Sequence, residues 1–203
     1  MVNALTLLRD VANNDKKYGF LDENIRLKAK IAVQKGVDLI LELQVKDKDT
    51  LTIWAAQYHN ETLLPAQARK FEPISLAVSE SVGIVRFLLK EEPSPALIES
   101  VNSAMNWFDK HKIKGYRFDY YKDEKGKSVR KLVEDPNAVV WSRFYEIGTD
   151  RPVFGDRDDK VHYDLEEISD ERRNGYAWFG DWPLNVLNSN YPKWLESLNK
   201  KKK

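Results

Sequence analysis

Apolar residues recur at helical spacing in four stretches of the chain, residues 1–12, 22–43, 79–89 and 94–108. An apolar side chain every three or four residues is typical of an amphipathic α-helix. The predicted inner face of the second helix consists of Ile25, Ala29, Ala32, Val33, Gly36, Val37, Ile40 and Leu43. Long helices separated by irregular segments favour a scaffold of helical hairpins that carries its chemistry on loops.

Three of these helices begin at residues that favour N-caps. Asp22 precedes the second helix, Ser79 the third and Ser94 the fourth. Side-chain oxygens at such positions accept hydrogen bonds from the first free backbone N–H groups. Pro95 follows at the first helical position, where its missing N–H has no cost.

The remaining pattern predicts short strands and polar connections. Residues 46–50 form a charged turn, and the alternation over residues 51–56 predicts a short strand. Residues 122–135 are the most polar run, which indicates an exposed hairpin tip or a mobile loop. Residues 139–147 are aromatic and β-branched, which predicts a buried strand.

The last third of the chain carries weaker signals. Asp164 and Glu167 have the spacing of a capping box for a short helix, with Gly175 at the left-handed position that would end it. Residues 200–203 are four lysines, and we expect a disordered, solvated tail.

Composition indicates one domain over residues 1–203, because 42% of the chain is hydrophobic and can build a core. With Lys+Arg 33 against Asp+Glu 32, the net charge of +1 argues against nucleic acid and anionic membranes as partners. The sequence has no cysteine and no recognisable signal peptide or spanning segment. Six Trp, nine Tyr and eight Phe suit both a core and the flat faces of sugars.

Two blocks of sequence carry a family resemblance. The first contains Trp54-Ala-Ala-Gln-Tyr-His, then Thr62-Leu-Leu-Pro-Ala-Gln-Ala-Arg-Lys-Phe-Glu, then Ser79-Glu-Ser-Val-Gly-Ile-Val-Arg-Phe. The second runs from Trp141-Ser-Arg-Phe-Tyr-Glu through Arg151-Pro-Val-Phe and Arg157-Asp to Glu171-Arg-Arg-Asn-Gly-Tyr-Ala-Trp. In this order the blocks resemble the signatures of the family 10 pectate lyases.

The resemblance implies a fold and a position within it. The implied fold is mainly α, an incomplete (α/α) toroid of helical hairpins with short β-strands and long irregular loops. The chain resembles the C-terminal part of the family's catalytic domain and lacks its N-terminal part, including aspartates that hold calcium and substrate. The resemblance also implies secretion and a calcium ion, here bound weakly or through the substrate, with metal ligands left unknown.

The implied activity is pectate lyase activity, the β-elimination cleavage of polygalacturonate to 4,5-unsaturated oligogalacturonates. By resemblance Arg69 is the catalytic base, Arg157 binds a substrate carboxylate, and Trp54 and Tyr145 contribute to a sugar subsite. Two positions depart from the family pattern in the Trp-x-Ala-Gln turn. His59 stands where the family has Asp, and the preceding Tyr stands where it has His.

The residues leave other interpretations open. Arg69 also fits a salt bridge to Glu72 or Glu80, and Arg157 a clamp on Asp156 or Asp158. A further expected internal ion-pair network consists of Arg143, Arg172, Arg173 and Glu171. The three histidines, His59, His111 and His162, have no zinc-site spacing and suit surface or hydrogen-bonded positions.

Three interpretations of the whole chain follow. It is a lyase, a non-catalytic pectin-binding module that kept its arginines, or a fragment with a mis-called or deliberate start at Met1. The apolar faces of residues 1–12 and 25–43 are expected to be buried by rearrangement or by a second copy of the chain. A homodimer is therefore predicted, with polygalacturonate or pectin as the other partner.

Overall fold

The structure, a computed structural model, describes residues 1–14 and 16–201. Helices lie at both ends of the chain, and a strand-rich segment separates them. The α-helices of the described chain are α1 (Val2–Ala12), α2 (Glu23–Glu42), α3 (Val78–Leu88), α4 (Pro95–Lys110), α5 (Asp170–Gly175) and α6 (Tyr191–Lys201). Shorter turns comprise the 3₁₀ segments Lys16–Tyr18 and Leu165–Glu167 and the π-helical segment Val186–Asn190.

Two of the three predicted caps are confirmed. Asp22 accepts a hydrogen bond from the backbone N–H of Ile25 at 2.8 Å, and Ser94 accepts one from Leu97 at 3.2 Å. Ser79 is not a cap, and that prediction was wrong. The chain enters α3 directly from a strand. The N–H of Val78, which has no partner within the helix, donates to the backbone carbonyl of Arg143 at 2.9 Å.

The inner face of α2 is confirmed at its centre. Ala29, Val33, Val37, Ile40 and Leu43 are buried against the other helices. The face opens towards the N-terminal end of α2, where the predicted inner residue Ile25 is 41% exposed.

The strands pair in small antiparallel sheets among the described residues. They are β1 (Lys46–Asp47), β2 (Thr50–Leu51), β3 (Leu76–Ala77), β4 (Ile113–Lys122), β5 (Ser128–Ser142), β6 (Phe144–Tyr145), β7 (Phe154–Gly155), β8 (Val161–His162) and β9 (Phe179–Gly180). β1 pairs with β2, β3 with β6, and β7 with β8, while β5 lies between β4 and β9.

The expected fold class was wrong. The described chain mixes α-helices with nine strands in four small sheets, and a helical toroid is not confirmed. The largest difference is the hairpin of β4 and β5, whose strands span 10 and 15 residues. Its tip, residues 123–127, lies in the run 122–135 where a hairpin tip or a mobile loop was predicted, but most of that run is strand. Its polar side chains hid the strand pattern because both faces of the hairpin arms meet solvent.

Among the smaller predictions, some are confirmed and others are wrong. The strand expected over residues 51–56 reduces to β2 and a single bridge at Ala55. The capping box of Asp164 and Glu167 is present on a 3₁₀ turn. Gly175 ends α5 without adopting the left-handed conformation that was expected. Lys200 belongs to α6 rather than to a disordered tail, and residues 202–203 lie outside the described residues.

Two groups of buried side chains hold these elements together. The larger group joins the helices and includes the fully buried Trp54 and Trp141. The smaller group lies under the strands around Phe144 and Trp178. No helix in the described part of the chain is long and apolar enough to cross a membrane.

Candidate functional site

The turn that carries Arg69 is fixed by its own backbone. Ala66 donates its N–H to the carbonyl of Gln57 at 2.9 Å, which anchors the turn to the preceding segment. Glu72 donates its N–H to the carbonyl of Arg69 at 2.7 Å, and Ala68 donates to the carbonyl of Glu72 at 3.3 Å. These bonds place the Arg69 and Glu72 side chains next to each other.

The guanidinium of Arg69 binds the carboxylate of Glu72 with two parallel hydrogen bonds. Arg69 Nε donates to Glu72 Oε2 at 2.9 Å, and Nη2 donates to Oε1. Arg69 Cζ also lies 4.6 Å from the ring centre of Phe71 and 5.9 Å from that of Tyr176. The side chain of Arg69 is nevertheless 63% exposed, so a ligand in solution can reach it.

The contacts of this pair favour its charged state. The Arg69 hydrogen bonds lower the pKa of Glu72 to about 2, and the hydroxyl of Tyr176 donates to the same carboxylate at 2.6 Å. The hydrogen bond with Glu72 in turn raises the pKa of Arg69 above its ordinary value. Arg69 is therefore held as a cation, the protonation state opposite to that of a general base.

Arg157 forms a second pair of the same kind. Its Nε and Nη2 donate to Glu171 Oε2 and Oε1 at 2.9 and 3.1 Å. Glu171 also binds Arg172, whose Cζ lies 4.5 Å from the ring centre of Phe71. The structure thus brings both predicted site arginines into one cluster, joined through Glu171, Arg172 and Phe71.

Two contacts hold the loops of Arg69 and Arg157 together. Gln67 Nε2 donates to Asp159 Oδ1. A Cβ added to Gly155 would lie 2.6 Å from the backbone oxygen of Phe71, so only glycine permits this close approach. The relative position of the two arginines is therefore set by backbone packing.

The cluster continues on the other side of Tyr176. Arg143 Cζ lies 4.9 Å from the Tyr176 ring centre and 5.8 Å from that of Trp182, while Arg143 Nη2 binds Glu80. We call the resulting row of guanidinium groups and rings the arginine–aromatic strip. It consists of Arg157, Arg172, Phe71, Arg69, Tyr176 and Arg143.

The other predicted substrate residues lie elsewhere. Trp54 is 1% exposed and donates its indole N–H to the carbonyl of Ile40 at 2.7 Å. Tyr145 is 2% exposed, and its hydroxyl accepts from the N–H of Ser142 at 3.0 Å. Both side chains are core residues that an oligosaccharide does not reach in this structure.

Some of the pairings expected from the sequence are present and others are not. The alternative pair of Arg69 with Glu72 exists, whereas Arg157 binds Glu171 instead of Asp156 or Asp158. Of the expected network, only the pair of Arg172 with Glu171 is present, because Arg143 pairs with Glu80 and Arg173 with Asp170.

Sequence reasoning missed Phe71 and Tyr176, which separate and orient the guanidinium groups. Both lie inside the matched blocks, but nothing in the sequence shows that their rings meet. In the structure the ring centres lie 5.4 Å apart in an edge-to-face arrangement. The one signal available in the sequence was an aromatic residue, Phe71, close to the site arginine Arg69.

The described residues do not fit a protein-built calcium site. They contain no group of three or more His, Cys, Asp or Glu side chains that could hold a metal. The carboxylates nearest the strip, Glu72, Glu80 and Glu171, are already paired with arginines. His59 Nδ1 faces the backbone N–H groups of its own turn.

Exposed guanidinium groups, one of which lies beside aromatic rings at Arg69, suit an anionic sugar. Planar guanidinium groups bind carboxylates with two hydrogen bonds, and aromatic rings pack against sugar faces. A bound uronate carboxylate would compete with Glu72 or Glu171 for its arginine.

Comparison with known proteins identifies relatives. A family model described as pectic acid lyase matches residues 1–187. No curated protein matches the chain. The structure of a family 10 polysaccharide lyase from Cellvibrio cellulosa superposes with a TM-score of 0.86 and 33% identity over 95% of this chain and 59% of that chain.

A second solved structure is an aspartate-to-alanine mutant of the Cellvibrio cellulosa lyase in complex with trigalacturonic acid. It also gives a TM-score of 0.86 and 33% identity, and the match covers 95% of this chain and 60% of that one. The present chain therefore spans about three fifths of the length of these solved structures.

Proposed function

The chain belongs to the family of pectic acid lyases, and from this we propose that it binds polygalacturonate and cleaves it by β-elimination. A base removes the proton at C5, next to the uronate carboxylate. The electron pair forms the C4–C5 double bond while the C4–oxygen bond breaks. The departing oxygen takes a proton, and the product is a 4,5-unsaturated oligogalacturonate.

The arginine–aromatic strip is the observation that carries the proposal. The C5 proton is weakly acidic, so the reaction needs cations beside the carboxylate on which negative charge develops. Arg69 and Arg157 lie on one exposed cluster and are linked through Phe71 and Arg172. That the two arginines implied by the resemblance lie in one exposed cluster supports the proposal.

Arg69 can act as the base only under one condition. Arg69, the base that the resemblance implies, is held as a cation by Glu72 in this structure. We propose that substrate binding separates Arg69 from Glu72 while Arg157 binds the substrate carboxylate, since loss of the Glu72 partner and exclusion of water both favour neutral guanidine. Arg157 is the alternative base, because its Nη2 bond to Glu171, at 3.1 Å, is longer than the matching bond of Arg69 to Glu72.

A binding module is the second candidate function. The observation that favours it is the same pairing, which holds both arginines as cations. Such arginines bind carboxylates well without removing a proton. A non-catalytic pectin-binding protein needs no more than this.

Calcium enters the proposal only as a partner of the substrate. The described residues supply no fitting ligand set, so no step is assigned to the metal. We expect no calcium binding by the protein alone in calorimetry, and a weaker calcium requirement than in a longer relative. Secretion, which the family implies, is part of the same proposal.

Ultraviolet absorbance of the unsaturated product tests the enzyme proposal. We expect turnover of polygalacturonate that rises at alkaline pH, where more of the base is neutral, and little turnover of highly methylesterified pectin. Arg69→Ala is expected to lower kcat by at least about a hundredfold with binding largely intact, and Arg157→Ala to weaken both. If Arg157 is the base instead, Arg157→Ala should lower kcat with binding largely intact, and Arg69→Ala should weaken both.

Arg117→Ala is the matched control, because Arg117 lies on the β4–β5 hairpin and pairs with Asp119 outside the strip. It is expected to keep wild-type rates. If the protein binds polygalacturonate but forms no absorbing product at any alkaline pH or calcium concentration, the binding-module function replaces the enzyme.

A further inference from the structure

A pocket of about 620 Å³ lies between α3 and the segment that leads into α6. Its lining includes Arg86 of α3 together with Trp182, Asn185 and Asn188. Asn188 belongs to the π-helical segment Val186–Asn190, and π-helical turns are frequent at functional sites. An aromatic face with a few convergent polar groups is a typical small-ligand site.

The ring of Trp182 is held in place by the backbone. A Cβ added to Gly180 would lie 2.6 Å from Trp182 Cε2 and 2.7 Å from Cζ2. The indole therefore lies directly over the backbone of β9, at a distance that only glycine allows. A ring fixed in this way offers a sugar a stacking face at little cost in side-chain entropy.

Arg86 differs from the arginines of the strip. Arg69, Arg143 and Arg157 each bind a protein carboxylate, but exposed Arg86 makes no ion pair or hydrogen bond within the described part of the chain. Its planar donors are available for a ligand carboxylate, which would displace no protein group. Asp181 and the two asparagines of the pocket supply partners for hydroxyl groups.

The pocket adjoins the end of the arginine–aromatic strip. Arg143 Cζ lies between the two surfaces, 4.9 Å from the Tyr176 ring centre and 5.8 Å from that of Trp182. A chain of uronates bound along the strip could therefore extend across Arg143 into the pocket.

We propose that this pocket is a further subsite, in which Trp182 stacks on a sugar and Arg86 binds its carboxylate. Its ligand is a uronate unit that lies beyond the units held at Arg69 and Arg157. The inference rests on the proposed function, since it takes the same anionic polysaccharide as ligand. In this proposal Arg86 and Trp182 raise the affinity for the polysaccharide and set a preference for longer chains.

Calorimetric titration with hexagalacturonate near pH 5.5, where elimination is slow, tests the subsite. Arg86→Gln is expected to weaken binding about tenfold, the loss of one charge-assisted contact. Gly180→Ala should weaken it as well, because the added Cβ displaces the indole. Arg117→Gln on the hairpin is the matched control and should bind as wild type does.

A hexamer that is methylesterified only at the unit that enters the pocket separates the two side chains. Trp182→Ala should weaken binding of both ligands, whereas Arg86→Gln should affect only the free acid, because an ester carries no charge. Wild-type affinity in Arg86→Gln for the free acid, with binding weakened in Arg157→Ala, would overturn the subsite and leave the proposed function standing. Absence of any hexagalacturonate binding by wild-type protein would overturn both.

Discussion

The guanidinium of Arg69 lies between one carboxylate and two rings, and each neighbour affects its charge. Glu72 stabilises the cation through two hydrogen bonds, while Phe71 and Tyr176 present their rings to it. The sequence could predict the pair with Glu72 from their spacing of three residues. It could not predict the ring of Tyr176, which reaches this site from more than a hundred positions along the chain.

Glu72→Gln tests how far this pair stabilises the fold. Glu72 has a folded pKa of about 2, below its ordinary value of 4.5, so its contribution is present above pH 4.5 and is lost as pH falls towards 2. Because Arg69 is largely exposed and screened, we expect the variant to lose about 1–2 kcal/mol of unfolding free energy at neutral pH.

Urea denaturation of both proteins between pH 7 and pH 2 measures this difference. The gap between wild type and Glu72→Gln should narrow steadily below pH 4.5, because protonation removes the same charge from the wild type. A gap that stays constant over the whole range would show that the charge of Glu72 does not stabilise the protein.

At the scale of elements, local signals predicted the long helices α1 to α4 but not α6, and long-range pairing determined the sheets. Helix α4 could be read from Ser94, Pro95 and its apolar spacing, all within one stretch. Strand β3 exists because Leu76 pairs with Tyr145, and such a partner leaves no trace in the local sequence. The two strands of the β4–β5 hairpin were not predicted for another reason. Apolar and polar residues alternate too weakly along them, since both faces are largely exposed.

The N-cap of α4 provides a prediction at this scale. Ser94→Ala removes the oxygen that accepts from the N–H of Leu97, and we expect a loss of about 1 kcal/mol in unfolding free energy. Ser103→Ala, in the middle of the same helix, is the control and should change stability by less than about 0.5 kcal/mol. Equal losses in both variants, measured by urea denaturation, would contradict a capping role.

At the scale of the whole molecule, the helical end of the chain leaves apolar side chains in solvent. Phe20 is 82% exposed, Leu7 49% and Ile25 41%, and these three line one apolar pocket between α1 and α2. Leu27 and Ile31 of α2 are 56% and 49% exposed. Exposed apolar surface of this kind is typical of an interaction site.

We therefore expect the chain to associate as a homodimer through the α1–α2 face, where each copy would cover the apolar side chains of the other. Sedimentation equilibrium should give the mass of two chains, and Phe20→Glu combined with Ile25→Glu should return the monomer, because charges at a buried contact are not solvated. A matched pair, Tyr116→Glu with Tyr120→Glu on the exposed β4–β5 hairpin, should leave the dimer intact. A monodisperse wild-type monomer that binds no hydrophobic dye would exclude this interface, since the face would then be covered within a single chain.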